Sequence, residues 1–531
     1  MSNNRTGIWA VLPTALLAGL VGACVAPGPA TPPPAPPEPP GVTLAAPFSD
    51  HAVLQRGKPL PVWGSAAPFD AVTVTFRGQT VRTVAGKDGR WLVRLRPLDA
   101  SSVPSDLVVA GHNTIAVHDV VVGDVWLCSG QSNMEFTVDD GGIAYRVDNA
   151  AAEVAAANYP MIRQLRIERT VATAPADTVK TDGWEAASPK TVGRFTAVGY
   201  FFARDIHRAL GVPVGIILSA WGGTPIESWM SDEARASTSI AGLLEERWRK
   251  AMNEWPPGRV ARYPSDMEAW QKAEAKSKAE HTKNPLPWPR PPAAPDSPAL
   301  PGGLFNGMIA PLQPGALRGV LWYQGESNAD HPAEYAELFR TLIRTWRAGW
   351  GQGDLPFYFV QLANFGAKED LTDRSWARLR EAQAKVLTLQ GTGMAVTIDI
   401  GTPENVHPTN KQEVGRRLAL IAEAKLFRGK EEYSGPVLAE VTPDGNTLRV
   451  RFSHVGTRLV AHGDTVKSLE VAGTDKVFHA ATAIILDKEL LVSSPDVAWP
   501  VAVRYAWSNA PEANLYNEAG LPAVPFRTDN W

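Results

Sequence analysis

The sequence predicts an α/β protein in which a parallel sheet carries the functional site and all-β modules flank it. Between residues 123 and 430, apolar strands alternate with amphipathic helices, which is typical of βαβ units in a parallel sheet. Before and after that stretch, short alternating segments separated by turn residues indicate antiparallel β modules. The chain has 531 residues, a length that suits about two to four domains.

The first 24 residues resemble a bacterial lipoprotein signal. Arg5 precedes an apolar run, and small residues lead up to Cys24, a pattern that indicates a targeting segment and not a membrane-spanning helix. The alternative is a cleaved secretory signal. Nine prolines between residues 26 and 40 predict an extended spacer of about 45 Å. We therefore expect a signal at 1–24, a linker at 25–43, and an exported protein that is periplasmic or tethered to the outer membrane only through Cys24.

Cysteine content and net charge exclude several classes of protein. Cys24 and Cys128 are the only cysteines, so no intramolecular disulfide can form once Cys24 is lipidated. Cys128 lies in an apolar strand and is expected to be a buried hydrophobic side chain. The formal net charge of -3 and the pI of about 6.4 predict no basic surface and no nucleic-acid partner.

Each module is predicted from its own pattern. Residues 44–122 form an N-terminal β module with strands at 61–64, 71–76, 79–85, 91–95 and 113–117. In the central region, strands are predicted at 124–128, 214–220, 319–323, 357–362 and 394–398, and helices at 196–210, 334–346, 377–389 and 411–425. Residues 231–301 are charged and then proline-rich, which indicates an insertion, and β-like segments return across a C-terminal module at 431–531.

Polar turns follow several strands of the predicted sheet. Gly-Gln-Ser-Asn ends at Asn133, a Gly-Gly-Thr turn follows Trp221, a third turn begins at Gln324, and a late loop carries His407. The carboxyl ends of parallel strands share one edge of the sheet, so these turns are expected to meet. A serine nucleophile needs a histidine base and amides that hold the oxyanion. The pattern therefore predicts Ser132 and His407 as partners.

These turns resemble the four blocks of the SGNH (GDSL-type) hydrolases, and the longer motifs resemble the sialate O-acetylesterase family. The motifs are VGDVWLCSGQSNM at 122–134, WGGTPIESW at 221–229, FNGMIAPL at 305–312, WYQGESN at 322–328, VHP at 406–408, VLQR at 53–56 and PFRTD at 525–529. The resemblance covers the chain from about residue 48 onward. It implies a three-layer α/β/α catalytic domain at 123–430 and a carbohydrate O-acetylesterase that needs no metal or organic cofactor and acts on an acetylated carbohydrate.

The resemblance also implies a role for each motif residue. Ser132 would be the nucleophile and His407 the general base. The oxyanion would be bound by the amides of Ser132 and Gly223, with Gly222 as the alternative, and by the side chain of Gln324. Substrate-binding positions would be Gln131, Asn133, Glu326 and Trp221.

The acid that would orient His407 is left open by the sequence. The superfamily has an aspartate three residues before the histidine, and this chain has Glu404 there. Asp399 is the rival, and a main-chain carbonyl would leave a Ser-His dyad. A neutral histidine base predicts activity that falls as the pH drops through roughly 6 to 7.

The sequence also leaves open which sugar is the substrate and whether one of two other functions applies. Sialic acid and plant polysaccharides both suit the resemblance, and Arg194, Arg374 and Arg378 are only weak clamps for a carboxylate. A glycoside hydrolase would instead pair Glu326 with Glu404 or Asp399. A non-catalytic surface lipoprotein would bind glycans through its β modules and tryptophans.

Overall fold

The computed structural model describes residues 40–139, 146–254, 257–280, 284–286, 289, 293–366 and 374–531. The expected signal at 1–24 and all of the expected linker up to residue 39 lie outside the described residues. The prediction of a lipid anchor at Cys24 therefore stays a prediction.

The N-terminal strands pair in two groups, antiparallel except for one parallel pair between the second and the eighth strand. They are β1 (Thr43–Leu44), β2 (Val53–Gln55), β3 (Leu60–Ser65), β4 (Ala71–Phe76), β5 (Gln79–Val84), β6 (Arg90–Leu95), β7 (Ser101–Ala110) and β8 (Thr114–Gly130). β1, β3 and β6 make one sheet, while β4 pairs with β5 and β7, and β7 pairs with β8. The expected module boundary at 122/123 lies inside β8, because this 17-residue strand leaves the N-terminal array and continues into the central sheet.

The central sheet has the order β10-β9-β11-β8-β12-β13-β14. Its further strands are β9 (Tyr159–Ile167), β10 (Thr181–Ala187), β11 (Val214–Ala220), β12 (Gly319–Tyr323), β13 (Phe357–Val360) and β14 (Thr392–Ala395). All pairs are parallel except β9 with β10, so the sheet is mixed. β11 and β12 have the predicted bounds, whereas β9 and β10 were not predicted.

Two of the predicted strands, at 357–362 and 394–398, extend beyond the carboxyl ends of the observed strands β13 and β14. The sheet ends at Ala395 in β14, although Val396, Thr397 and Ile398 are buried. Thr397 donates its hydroxyl to the Gln361 carbonyl, so this segment is fixed by side-chain burial and not by ladder pairing. An apolar run signals burial, and burial alone does not distinguish a strand from a packed loop.

Nine α-helices lie in the described parts of the chain. They are α1 (Ser132–Glu135), α2 (Ala150–Ala155), α3 (Ala197–Leu210), α4 (Asp232–Ala236), α5 (Ala241–Glu254), α6 (Pro257–Ala279), α7 (Pro332–Trp350), α8 (Ser375–Ala384) and α9 (Lys411–Leu426). Thr196 caps α3 and Asn410 caps α9 by accepting backbone N–H groups with their side-chain oxygens. The helix predicted at 377–389 ends earlier, because the chain tightens into a 3₁₀ turn at Lys385–Thr388.

Side chains of the sheet contact helices through close aromatic and small-residue packing. Trp126 of β8 meets Phe202 of α3 edge-on at 4.8 Å, and a Cβ added to Gly199 of α3 would lie 3.0 Å from the sulfur of Cys128. Trp322 of β12 contacts Trp346 of α7 at 5.7 Å. Cys128 is buried as expected, and burial raises the pKa of its thiol.

The insertion is largely helical and attaches to α7. Arg247 of α5 donates to both carboxylate oxygens of Glu334 at 2.7 and 3.0 Å. None of the helices in the described ranges is long and apolar enough to cross a lipid bilayer.

The C-terminal region forms three antiparallel sheets. Its strands are β15 (Val437–Asp444), β16 (Thr447–Ser453), β17 (Leu459–Ala461), β18 (Leu469–Ala472), β19 (Phe478–Ala480), β20 (Thr482–Leu486), β21 (Glu489–Ser493), β22 (Ala502–Tyr505), β23 (Leu515–Asn517) and β24 (Phe526–Arg527). The sheet orders are β15-β16-β21-β20, β17-β23 and β19-β18-β22-β24. The buried guanidinium of Arg380 in α8 donates to the carbonyls of Ser508 and Asn509, which joins this region to the central domain.

Candidate active site

Ser132 stands on a sharp turn at the carboxyl end of β8. The strand ends at Gly130, whose φ is +134°, and a Cβ there would lie 2.1 Å from the Tyr323 carbonyl oxygen. Gln131 then donates its N–H to that same carbonyl at 3.0 Å. Only glycine fits at residue 130, so the chain reverses at once and α1 begins at Ser132 itself.

His407 reaches Ser132 from a loop 275 residues away in sequence. Its Nε2 lies 2.7 Å from Ser132 Oγ, within the hydrogen-bond reach that a general base requires. The backbone N–H of His407 donates to Asn405 Oδ1 at 2.9 Å, which stabilises the conformation of this loop. Ser132 is buried and His407 half-buried.

The two carboxylates considered as orienting acids make no hydrogen bond with His407. Asp399 receives two hydrogen bonds of 2.7 Å from Arg417 and one of 3.4 Å from the Tyr516 hydroxyl. Glu404 is exposed, and its carboxylate has no hydrogen bond or ion pair with any residue that the structure describes. No hydrogen bond joins His407 to Asp399 or Glu404, three residues that are all described.

The turn after β11 packs directly against the serine. A Cβ added to Gly222 would lie 3.2 Å from Ser132 Cβ, so this position must stay small. Gly222 already donates its N–H to Glu135 Oε2 at 3.0 Å, and its expected role as the alternative to Gly223 stays a prediction. Gly223 has φ +74° with open space around it. The N–H groups of Ser132 and Gly223 donate to no residue in the described ranges.

Gln324, expected as an oxyanion donor, makes all its hydrogen bonds within the protein, and its expected role stays a prediction. Both hydrogens of its amide are already donated, to the Thr224 carbonyl at 3.1 Å and to Asn328 Oδ1 at 2.7 Å. Its oxygen accepts from the Tyr335 hydroxyl at 2.8 Å, and the side chain has no exposed surface. Gln324 therefore holds neighbouring turns together beneath the site.

Gln131 and Asn133, expected to bind substrate, are committed to protein contacts. Gln131 Oε1 accepts the backbone N–H groups of Gly325 and Ser327 at 3.4 and 3.3 Å. Asn133 uses both amide hydrogens and its oxygen within the protein. In this arrangement no donor of the Asn133 amide is left for a ligand, and its expected substrate-binding role stays a prediction.

Glu326 and Lys411 are ionisable groups buried beside this turn. Glu326 Oε1 accepts from Asn133 at 2.6 Å, and its Oε2 is buried with no hydrogen-bond partner in the described structure. Burial raises the pKa of Glu326, although the hydrogen bond from Asn133 opposes the rise. Burial lowers the pKa of Lys411 to about 7.

Three further charged residues at this edge were not predicted. Glu135 is buried and accepts from Arg169 at 2.8 and 2.6 Å, while Arg166 lies 3.7 Å from the same oxygen. Arg169 also lies over the half-buried ring of Trp221 at 5.6 Å. The sequence signal is an acid next to the nucleophile turn and two arginines three residues apart at the end of β9.

Two of the arginines considered earlier as clamps contact other parts of the chain. Arg194 pairs with Glu185, and Arg374 pairs with Glu470 and the Trp507 carbonyl. Within the described residues, no three histidine, cysteine or carboxylate side chains are grouped as metal ligands.

A sequence profile of one protein family matches the residues that build this site. The profile is described as carbohydrate esterase, sialic acid-specific acetylesterase, and it matches residues 122–276 and 302–423. The chain belongs to this family. The matched ranges contain Ser132 and His407 and leave out most of the proline-rich part of the insertion.

Two relatives that match this chain over most of their length, and one solved structure, support the family assignment. The rat sialate O-acetylesterase is 29% identical over 542 residues, covering 92% of this chain and 94% of its own. The human sialate O-acetylesterase is 28% identical over 534 residues, covering 92% of each. A carbohydrate acetylesterase from Xanthomonas citri is 39% identical, with a TM-score of 0.77 over 92% of this chain and 100% of its own. The predicted family, and with it a carbohydrate acetylesterase function, is confirmed.

Proposed function

We propose that this esterase removes O-acetyl groups from sugars by attack of Ser132, with His407 as the general base. The 2.7 Å contact between His407 Nε2 and Ser132 Oγ supports the proposal. His407 takes the serine proton while Oγ bonds to the acetyl carbonyl carbon. The oxyanion collapses as His407 returns the proton to the sugar oxygen, which leaves as an alcohol. Water, activated by His407, then cleaves the acetyl-serine and releases acetate.

The negative charge on the acetyl oxygen needs donors that the protein does not use elsewhere. The N–H groups of Ser132 and Gly223 meet this condition within the described residues, whereas those of Gly222 and the Gln324 amide are already donated. We therefore infer a two-amide oxyanion site. The Glu135 carboxylate supports it indirectly, because it holds Gly222 next to Ser132.

We further infer the three-layer α/β/α arrangement of the SGNH hydrolases for the central domain. Trp126 and Cys128 of the central strand β8 contact α3, and Trp322 of the neighbouring strand contacts α7. Trp322 pairs with Ser129 and not with Cys128. Side chains at successive strand positions point to opposite faces, which supports helices on both faces.

Replacing Ser132 tests the mechanism. Ser132→Ala should lower the release of acetate from an acetylated aryl ester and an acetylated sugar by at least about 1000-fold, measured by coupled acetate detection. Ser453→Ala, in β16 of the C-terminal region, controls for loss of a serine hydroxyl and should keep wild-type activity. Full activity of Ser132→Ala would show that another group attacks the ester.

For the sugar, we propose a preference for substrates that carry a carboxylate. Arg166 and Arg169 are about half exposed, at 48% and 49% of their side chains, and they share one carboxylate partner, Glu135. Counting only the described residues, one positive charge is therefore left over near the serine turn, and guanidinium groups bind carboxylates well. Arg166→Gln should raise the KM for an acetylated acidic sugar several-fold and leave that of an acetylated neutral sugar unchanged. An equal effect on both sugars, relative to the similarly exposed Arg451→Gln, would refute the preference.

A further inference from the structure

The Asn133 side chain joins the two segments that carry the reacting groups. Its Nδ2 donates to the Val406 carbonyl at 3.0 Å and to Glu326 Oε1 at 2.6 Å. Asn133 follows Ser132 directly, and Val406 precedes His407 directly. This amide therefore bridges 273 positions of sequence at the point where the serine and histidine meet.

Lys411 determines which way the Asn133 amide points. Its Nζ donates to Asn133 Oδ1 at 2.5 Å, and its side chain has no exposed surface. The ammonium lies 4.7 Å from the centre of the Phe136 ring and 5.3 Å from that of Tyr323. An ammonium group only donates, so the amide oxygen must face Lys411 and the NH₂ group must face Val406 and Glu326.

No carboxylate pairs directly with this buried cation in the part of the chain that the structure describes. Its hydrogen-bond acceptor is the neutral amide of Asn133, and the aromatic rings supply weaker attraction. Burying an ammonium group in this way is unfavourable for folding. A packed apolar side chain would serve better if Lys411 only filled space, so its retention here calls for a role in the site.

We propose that Lys411 and Asn133 are positioning residues that hold His407 Nε2 against Ser132 Oγ: Lys411 fixes the Asn133 amide, and Asn133 fixes the backbone at Val406. The proposal rests on the Ser132–His407 mechanism above. Neither residue touches the reacting atoms. Loss of either should therefore lower kcat through a misplaced imidazole and leave KM nearly unchanged.

A polarity swap separates the bond to Val406 from the rest of the cluster. In Asn133→Asp, both side-chain oxygens accept, so Lys411 keeps its acceptor while Val406 and Glu326 lose their donor. Adding Glu326→Gln lets the glutamine amide donate back to the aspartate, which restores that bond in reverse. The Val406 carbonyl alone then lacks its donor.

The double variant should therefore melt close to the wild-type temperature and still turn over about 10- to 100-fold more slowly, because small misplacements of a base have effects of this size. Its KM for an aryl acetate should stay within about twofold of wild type. A kcat within twofold of wild type would overturn the proposal, because the bond to Val406 would then be dispensable.

Lys411→Met provides a second measurement, with Lys58→Met as its matched control. Lys58 is a half-buried lysine that donates to the Leu317 carbonyl and to Gln352 Oε1, contacts that include no residue of the site. Both variants lose a lysine that donates hydrogen bonds, but only Lys411→Met should lose about tenfold or more in kcat. Equal kcat values for the two variants would refute a positioning role.

These experiments distinguish failure of the positioning role from failure of the Ser132–His407 mechanism. An active Ser132→Ala variant refutes the mechanism whatever the other variants do. An inactive Ser132→Ala variant together with a fully active polarity swap and a fully active Lys411→Met variant refutes only the positioning role.

Discussion

Two buried charged clusters lie along strand β8, and they are built in opposite ways. Asp124, near the start of its parallel half, has no exposed surface and accepts from Arg56 at 2.9 and 2.7 Å and from Arg318 at 2.7 Å. At the other end, beyond Ser132, Lys411 and Glu326 make no direct ion pair with each other. The neutral amide of Asn133 lies between them.

The difference separates a structural use of charge from a functional one. Arg56 belongs to the N-terminal module and Arg318 immediately precedes β12, so Asp124 joins separate parts of the fold through matched charges. Among the described residues, Lys411 and Glu326 have no directly paired counter-charge. Burial lowers the pKa of the lysine to about 7 and raises that of the glutamate, while the charge of each partly opposes the shift of the other. Matched charges fix modules, and unmatched ones leave protonation states adjustable near the reacting atoms.

The largest expected effect comes from breaking the matched cluster. Asp124→Asn leaves two arginines without their carboxylate and should lower the free energy of unfolding by about 3 kcal/mol, since removing one member of a buried ion pair is strongly destabilising. Urea unfolding measures this change. The folded fraction should keep its kcat, because the cluster lies away from Ser132.

An exposed ion pair gives the control for this measurement. Asp177 pairs with Arg90 at side chains that are 76% and 68% exposed, and Asp177→Asn should change the free energy of unfolding by less than about 1 kcal/mol. Equal losses for the two variants would show that the Asp124 cluster is no more structural than a surface pair.

A smaller effect is expected from the unmatched cluster, and it depends on pH. The pKa of Lys411 is about 7 in the folded protein against an ordinary 10.5. Between these values the unfolded chain holds a proton that the folded chain has lost, so this lysine makes stability rise with pH. Below pH 7 both states are protonated and its contribution is constant.

The measurement compares wild type with Lys411→Met by urea unfolding from pH 7 to 9. The difference in unfolding free energy, wild type minus variant, should rise by about 1.4 kcal/mol per pH unit. A difference that does not change with pH would show that the lysine remains charged throughout this range, as expected for a cation paired with a carboxylate.

Sequence patterns predicted the strands and turns that carry the serine and histidine, but not the orientation of polar side chains. β11 and β12 were predicted with their bounds because both are short apolar runs ended by glycine-containing turns. The hydrogen-bond partners of Gln324 and Asn133 were not predicted, because a motif gives the position of an amide and not the partners of its hydrogens. Lys411 had a usable signal: it lies on the buried stripe of α9 with Val414, Gly415 and Leu418, where a charged residue is unusual.

The smallest effect is expected at Glu404, the acid that sequence spacing favours as the partner of His407. Its carboxylate is exposed and without a partner among the described residues, whereas Asp399 is matched by Arg417. Glu404→Gln should therefore change kcat by less than about twofold, and Asp399→Asn should act mainly on stability, by about 1–3 kcal/mol. A loss in kcat approaching about 10,000-fold for Glu404→Gln, the size seen when a triad acid is neutralised, would mean that this loop turns its carboxylate onto His407 during turnover. The unmatched acid would then belong to the catalytic end of β8 together with Lys411.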